Sequence, residues 1–370
     1  MSMVEVPVVT EDLISKRVRS KDYNYVFDKR TGFFARWGET PQDDPDFSPF
    51  GPEILDIEIT TICHGVPDEK YDINNPTGIG LENYKSPCRF CYKANTPCGK
   101  NMSLEVFIKV VDEIKASNDL LCQMALGCDA EGTANPDMFK MMEYARSVGV
   151  IPNLTVANIT EETAQKIASL AGACAVSRYA NKNVCYDTIQ RLSKAGLKQI
   201  NMHVLAAEET FDWITETLND RLVDPRLKNV KAIVLLSLKK QGRGKSFNGL
   251  FNDKFKKIVD FAFQNNIGLG FDSCGCHLLL DAIKDHPQFE QIKMSAEPCE
   301  ASCFSSYSSV DGKYLPCSFC SGLGIWGDGL DILECDNFTQ DIWQHKKTKE
   351  FRKVLLNSGR HCPYFQIGKS

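Results

Sequence analysis

Cysteine stands out in this sequence of 370 residues, because there are 16 cysteines and they are unevenly placed. None precedes Cys63, and most of the others lie between residues 63 and 98 or between 274 and 335. The first 16 residues lack the basic head and apolar core of a secretory signal, so we expect a cytoplasmic protein whose thiols stay reduced. Clustered thiols in a reducing compartment predict metal ligands. Cys122, Cys174 and Cys185, which lie in apolar or helical stretches, are instead expected to pack in the core.

The first group of candidate ligands is Cys63, Cys88 and Cys91, with 24 residues between the first two. Three thiolates can hold three irons of a four-iron cluster and leave the fourth iron open to a chelating ligand. Phe90, just before the last cysteine, would shield one face of such a cluster. A Cys-x2-Cys pair suits zinc equally well. Cys98 is an alternative third ligand, but Cys63 is preferred because it ends the first predicted strand.

A second candidate site follows the next strand-like run, where residues 127–132 form a loop of small residues. Gly127 would let a ligand approach the backbone, and the carboxylate of Glu131 or Asp129 could accept hydrogen bonds from an ammonium group. The same pattern is also typical of an ordinary strand-to-helix turn with a solvated glutamate.

Seven strand-like runs must position these residues, and helical segments separate them. Ser103 suits the cap of the first helix, and Pro136 suits the first turn of the second. Strands that alternate with helices predict a parallel sheet, and this number of strands favours an open or closed β/α barrel with its active site at the carboxyl ends of the strands. The runs cover residues 53–61, 120–126, 151–156, 173–177, 199–205, 232–238 and 268–271.

The alternation stops after about residue 275. Residues 299–335 are rich in Cys, Ser, Gly and aromatics and predict a small β-hairpin module, followed by a helix near 345–356. We therefore divide the chain into a peripheral segment (1–50), a core barrel (51–275) and a C-terminal module (276–370). The basic residues between Lys239 and Lys245 are expected to form a solvated loop after the sixth strand.

Together, the three cysteines after the first strand and the Gly127–Glu131 loop after the second resemble the radical S-adenosylmethionine superfamily over about residues 53–275. The resemblance implies an α/β fold, a partial (β/α)6-type barrel, with a [4Fe–4S] cluster on Cys63, Cys88 and Cys91. The long gap after Cys63 departs from the usual Cys-x3-Cys-x2-Cys spacing and implies an excursion over residues 65–87. The resemblance also implies contacts to S-adenosylmethionine from Gly127, Glu131, Ser177, Asn201 and His203, with Glu131 rather than Asp129 on the amine.

Cys299-x12-Gly312-x4-Cys317 resembles the signature of the Twitch and SPASM extensions of that superfamily, which hold auxiliary four-iron clusters. Because Cys317-x2-Cys320 is followed by a single cysteine, Cys335, before the last helix, a single auxiliary cluster of the Twitch kind is the better match. The resemblance implies Cys299 and Cys317 as ligands, and Cys274 and Cys362 are predicted as the other two. The alternatives are Cys276, Cys303, Cys320 and Cys335.

The resemblance implies an enzyme that accepts one electron from an external donor such as a flavodoxin or ferredoxin. It would cleave S-adenosylmethionine to methionine and a 5′-deoxyadenosyl radical, which abstracts hydrogen from a peptide or a small polar molecule. A non-enzymatic zinc-binding interaction protein is the alternative. A formal net charge of −5 gives no electrostatic case for a nucleic-acid partner, and no run of about 18 apolar residues predicts a membrane span.

Overall fold

The amino-terminal segment forms a small antiparallel sheet in the computed structural model, which describes residues 6–66, 88–365 and 367. Buried polar contacts fix this sheet to the rest of the chain: the Lys16 ammonium, fully buried, lies 2.7 Å from Asp119 Oδ1, and the Tyr23 hydroxyl donates to the Glu53 carboxylate. The segment is therefore an ordered layer against the core. Its strands pair in chain order and are β1 (Val8–Glu11), β2 (Ser15–Arg19), β3 (Asn24–Asp28) and β4 (Phe34–Trp37).

A ten-stranded sheet forms the centre of the molecule. Its strands are β5 (Ile54–Glu58), β6 (Gln123–Gly127), β7 (Ile151–Val156), β8 (Cys174–Ser177), β9 (Ile200–Ala206), β10 (Val230–Ser237), β11 (Leu269–Phe271), β12 (Ser305–Ser308), β13 (Lys313–Leu315) and β14 (Leu330–Asp331). They hydrogen-bond in the order β11-β10-β9-β8-β7-β6-β5-β12-β13-β14. All neighbours from β11 to β12 are parallel, as the alternation of strands and helices predicts.

Helices cover one face of this sheet and leave the other face concave. They are α1 (Leu104–Asn118), α2 (Met138–Ser147), α3 (Glu161–Leu170), α4 (Lys182–Lys194), α5 (Phe211–Val223), α6 (Asn252–Gln264), α7 (Cys276–Ala282), α8 (Phe289–Ser295) and α9 (Lys346–Asn357). Ser103 caps α1, since its hydroxyl accepts from the Val106 amide. Pro136 differs from expectation, because α2 begins at Met138 and Pro136 lies before its N-cap residue, Asp137.

Period-two alternation explains which side chains reach each face. In β9, Ile200, Met202 and Val204 are at most 1% exposed and pack in the core. Asn201 and His203 lie between them and point to the concave face, which we call the lumen. The lumen therefore receives polar side chains from strands whose other face is apolar.

The C-terminal module extends the sheet beyond β5. β12 pairs with β5 in parallel, and β13 returns antiparallel to β12, which confirms the expected hairpin. Gly312 lies in the turn with φ of +72°, and a Cβ there would lie 2.8 Å from Leu333 Cγ, so both the backbone conformation and the space favour glycine. Among the described helices, none is long and apolar enough to cross a bilayer.

Candidate functional site

The first three cysteines lie at the carboxyl edge of the parallel strands. The Cys63 amide donates to the Thr96 carbonyl (3.0 Å), and the Thr61 amide donates to the Lys100 carbonyl (2.9 Å). The chain from 96 to 102 thus returns alongside residues 59–63 and brings the loop with Cys88 and Cys91 to the end of β5. Most of the expected excursion over residues 65–87 lies outside the described residues. Cys98, the alternative ligand, is exposed, whereas Cys63, Cys88 and Cys91 are half-buried.

Phe90 fixes the cysteine loop over the carboxyl ends of the middle strands. Its ring stacks on Tyr179, with centroids 5.6 Å apart, and contacts Phe247 and Trp213 at 5.8 and 6.4 Å. Burial, with Cys88 and Cys91 nearby, raises the pKa of the Tyr179 phenol well above its ordinary value. The loop is therefore anchored by aromatic packing on the side that faces the lumen.

The loop after β10 contacts the cysteine loop, so the expectation that it is solvated holds for Lys240 and Lys245, which are exposed, but not for Lys239 and Arg243. Arg243 donates from Nε to the Cys88 carbonyl (2.7 Å), from Nη1 to the Asn95 carbonyl (3.2 Å) and from its amide to the Cys91 carbonyl (3.0 Å). Gly242 has φ of +56°, and a Cβ there would lie only 2.3 Å from the Tyr92 carbonyl oxygen. The basic residues of this loop predict exposure to solvent. The Arg243 guanidinium instead donates to carbonyl groups of the neighbouring cysteine loop.

The loop after β6 separates the roles of its two carboxylates. Asp129 is 5% exposed, and its oxygens accept from the amides of Thr133 (2.8 Å), Ala134 (3.0 Å) and Glu131 (3.1 Å). Asp129 therefore shapes the loop. Glu131 is half-buried, so its carboxylate is the better candidate for a ligand contact.

The remaining predicted contacts to S-adenosylmethionine lie together on the lumen face. Ser177 on β8 pairs in register with His203 on β9, and Asn201 lies one repeat earlier on the same face of β9. Burial lowers the pKa of His203 to about 4, so the imidazole is neutral near pH 7. Gly127 ends β6 beside β5, and a Cβ there would lie 3.3 Å from Glu58 Cα, in tight contact with that strand.

Sequence reasoning missed two carboxylates in β5. Glu58 pairs with the Lys93 ammonium at 3.1 Å, and Lys93 also donates to the Tyr307 hydroxyl at 2.6 Å. Asp56 lies one repeat earlier on the same lumen face, and burial raises its pKa to about 6. The pattern Asp-Ile-Glu-Ile over residues 56–59 contained the signal, because a buried strand seldom alternates carboxylates with apolar residues.

The four cysteines predicted for the C-terminal module come together in space. Burial is the larger cause of the raised pKa in Cys274, Cys299 and Cys362, and in every pair of the set one thiol lies close enough to the other to raise its pKa as well. In Cys317 the larger cause is Cys320, whose sulfur lies 3.5 Å away. The set comprises Cys274, Cys299, Cys317 and Cys362.

The other cysteines have different surroundings. Cys276 and Cys303 lie near Arg360, and Cys335 donates to the Ile332 carbonyl (3.1 Å). Cys122, Cys174 and Cys185 are at most 1% exposed, in agreement with packing in the core. Of the alternatives for the module, Cys320 is therefore the one that contacts the four-cysteine set.

Among residues 6–66, 88–365 and 367, no three Cys, His, Asp or Glu side chains converge closely enough to hold one metal ion. Thiolates are ligands of zinc and of iron–sulfur clusters alike.

The two cysteine sites are connected by a direct aromatic contact. The rings of Tyr92, next to Cys91, and Phe319, between Cys317 and Cys320, have centroids 4.2 Å apart. The Lys239 ammonium lies 4.7 Å from the Phe319 ring centroid and forms an ion pair with Asp272.

No model of a known protein family matches this chain, and no curated protein matches it in sequence. Solved structures do match in fold. The crystal structure of Streptococcus suis SuiB bound to precursor peptide SuiA has a TM-score of 0.65 and 12% identity, with 93% of this chain and 90% of that chain covered. SuiB bound to S-adenosylmethionine has a TM-score of 0.60 and 11% identity, with coverage of 94% and 90%. The chain thus shares the fold of SuiB, and the α/β fold expected from its resemblance to the radical S-adenosylmethionine superfamily is confirmed.

Proposed function

We propose that this chain is a radical S-adenosylmethionine enzyme that modifies a peptide. The observation that carries the proposal is the position of the cysteine loop. Cys63, Cys88 and Cys91 lie at the carboxyl edge of a parallel β/α sheet whose lumen is lined by polar side chains. The same fold in SuiB has been crystallised with S-adenosylmethionine and with a precursor peptide.

Residues of this chain have distinct roles in the proposal. Cys63, Cys88 and Cys91 would hold a [4Fe–4S] cluster, and Arg243 would keep their loop in place through its carbonyl contacts. When bound, such a cluster supplies the electron that cleaves S-adenosylmethionine to methionine and a 5′-deoxyadenosyl radical. Glu131 would accept hydrogen bonds from the amine of S-adenosylmethionine.

The lumen would complete the binding site and exclude water. Ser177, Asn201 and His203 offer hydroxyl, amide and neutral imidazole groups on one face, which suits the carboxylate and ribose of S-adenosylmethionine. The aromatic rings around Phe90 would keep solvent from the reacting groups.

The C-terminal module would hold one auxiliary cluster on Cys274, Cys299, Cys317 and Cys362. The mutual proximity of these four thiols supports the assignment. The contact between Tyr92 and Phe319 would join the loop that holds the first cluster to the loop that holds the auxiliary cluster.

Anaerobic reconstitution with iron and sulfide tests the proposal. We expect a brown protein with roughly 7–8 irons per chain, which produces 5′-deoxyadenosine from S-adenosylmethionine when a flavodoxin or dithionite supplies electrons. The triple variant Cys63→Ala, Cys88→Ala, Cys91→Ala should keep about half of the iron and form no 5′-deoxyadenosine. A colourless protein with stoichiometric zinc and no iron would contradict the proposal and favour a zinc-binding interaction protein. A screen of peptides encoded near the gene, by mass spectrometry, tests the substrate class.

A further inference from the structure

Asp56 lies on the floor of the lumen, and the proposed function gives it no role. Its neighbours along β5, Leu55 and Ile57, are at most 1% exposed and pack in the core, so Asp56 points to the opposite, concave face. Its partner in register is Ala125 on β6, one repeat before Gly127. Two residues of a strand span roughly 7 Å, so Asp56 lies about one repeat deeper than the end of β6, where S-adenosylmethionine would bind.

The other side of Asp56 is closed by the C-terminal module. Tyr307 on β12 lies opposite Asp56 in register, and burial, with a smaller contribution from nearby charges that include Asp56, raises the pKa of both Tyr307 and Tyr92. Both phenols are neutral at pH 7, so neither compensates a carboxylate. The floor is therefore shared between the barrel and the module.

The charge on Asp56 has no partner within the described part of the chain. The Asp56 side chain has no hydrogen bond or ion pair to any of these residues. The ammonium of Lys93, on the same face, is 3.1 Å from Glu58 and 2.6 Å from the Tyr307 hydroxyl, and so is already engaged. On the β6 side the neighbour is Ala125, which carries no charge.

A desolvated carboxylate without a partner destabilises the folded protein, because burial disfavours the charged form. Glu58 shows the alternative within the same strand, since it is buried and paired with a lysine, whereas the half-buried Asp56 has no such partner among the described residues. Keeping Asp56 uncompensated is understandable if a ligand brings the missing positive charge. Such a ligand would gain a charge-assisted hydrogen bond to this half-buried carboxylate, which is stronger than a hydrogen bond between neutral groups.

We propose that Asp56 is a substrate-binding residue, and that the substrate presents a cationic group, a lysine ammonium or an arginine guanidinium, to the floor of the lumen. This inference rests on the proposed function, because it takes the lumen to be the substrate site. It narrows the substrate class to peptides whose modified region carries a basic side chain.

Two matched probes test the inference on the reconstituted protein with S-adenosylmethionine bound. Nα-acetyl-lysine methylamide carries the cation, and Nα-acetyl-norleucine methylamide has the same chain without it. Isothermal titration or ligand-observed NMR should show at least tenfold tighter binding of the lysine probe. Asp56→Asn should remove this preference, and Asp311→Asn, which neutralises an exposed carboxylate, should keep it.

Two further measurements keep the test independent of folding. Asp56→Asn should melt at the same or a higher temperature at pH 7, since it removes an uncompensated charge. In the unaltered protein, the preference for the lysine probe should fall as the pH drops below about 6, because protonation neutralises Asp56. Equal binding of the two probes to the unaltered protein, or a preference that survives Asp56→Asn, would overturn the inference.

The role of Asp56 and the proposed function can be refuted independently of each other. Formation of 5′-deoxyadenosine without any preference for the lysine probe would leave the enzyme assignment intact and refute the role of Asp56. Iron-loaded protein that forms no 5′-deoxyadenosine would refute the enzyme assignment, whatever the binding of the probes.

Discussion

Removing the Arg243 side chain should loosen the cysteine loop without unfolding the chain. Arg243→Met keeps much of the side-chain length but deletes the donors to the Cys88 and Asn95 carbonyls. The backbone amide of residue 243 would still donate to the Cys91 carbonyl, so one of the three contacts remains.

The two lost contacts set the size of the effect. Hydrogen bonds from a charged donor contribute roughly 1.5–3 kcal/mol each, and Arg243 is only half-buried, so we use about 3 kcal/mol for the pair. Because about 1.4 kcal/mol corresponds to a factor of ten, the fraction of molecules with the loop open should rise about 100-fold. Arg243→Lys should give an intermediate loss, since a lysine lacks the fork that reaches two carbonyls.

Release of iron to a chelator measures this opening. In anaerobic protein, we expect Arg243→Met to lose about half of its iron on the order of 100 times faster than the unaltered protein, with the remainder released at the ordinary rate. Arg89→Met is the matched control, because Arg89 lies in the same loop but is exposed. Equal rates of release for Arg243→Met and the unaltered protein, or an equal acceleration by Arg89→Met, would refute the clamp.

Three other variants test the assignments of ligands. Cys63→Ala should abolish formation of 5′-deoxyadenosine while Cys98→Ala leaves it measurable, and the reverse result would move the third ligand to Cys98. Glu131→Gln should retain both clusters but weaken binding of S-adenosylmethionine about tenfold or more, since a hydrogen bond to a charged group contributes roughly 1.5–3 kcal/mol. A larger loss of affinity in well-folded Asp129→Asn would assign the contact with the amine to Asp129. Cys299→Ala should abolish peptide modification but leave an electron paramagnetic resonance signal that shifts when S-adenosylmethionine is added, and disappearance of both cluster signals would show that the two sites are not independent.

The strands of the core could be predicted because each one is a short apolar run between helices. Each of the seven predicted runs overlaps one strand, from β5 to β11. The amino-terminal sheet was not predicted, because its strands are four or five residues long and its sequence is rich in charge. A buried Lys16 cannot be read from sequence, since its position depends on a contact with Asp119, 103 residues further along the chain.

The candidate site was predictable only in part, for a related reason. The cysteines stood out by residue type. The structure places Cys274 near Cys362, and their role as ligands stays a prediction. The contacts of Arg243 in the loop after β10 were not predicted, because basic residues are usually solvated. Nothing in the local sequence indicates that the Cys88 and Asn95 carbonyls accept from its side chain. The alternation of Asp56 and Glu58 with apolar residues was a signal in the sequence, but only the structure shows that Glu58 is paired with Lys93 and that the Asp56 side chain is not.

The parallel pairing of β12 with β5 has a consequence for how the protein is made. The two strands are 251 residues apart in the chain, counted from Ile54 to Ser305. This edge of β5 therefore stays unpaired until β12 has been synthesised. Unpaired strand edges promote association between nascent chains, and such distant pairing is slow to form. A nascent chain synthesised only to about residue 275 would therefore expose an unpaired strand edge that promotes association. The C-terminal module therefore also covers the edge of β5 that the newly synthesised barrel would otherwise leave unpaired.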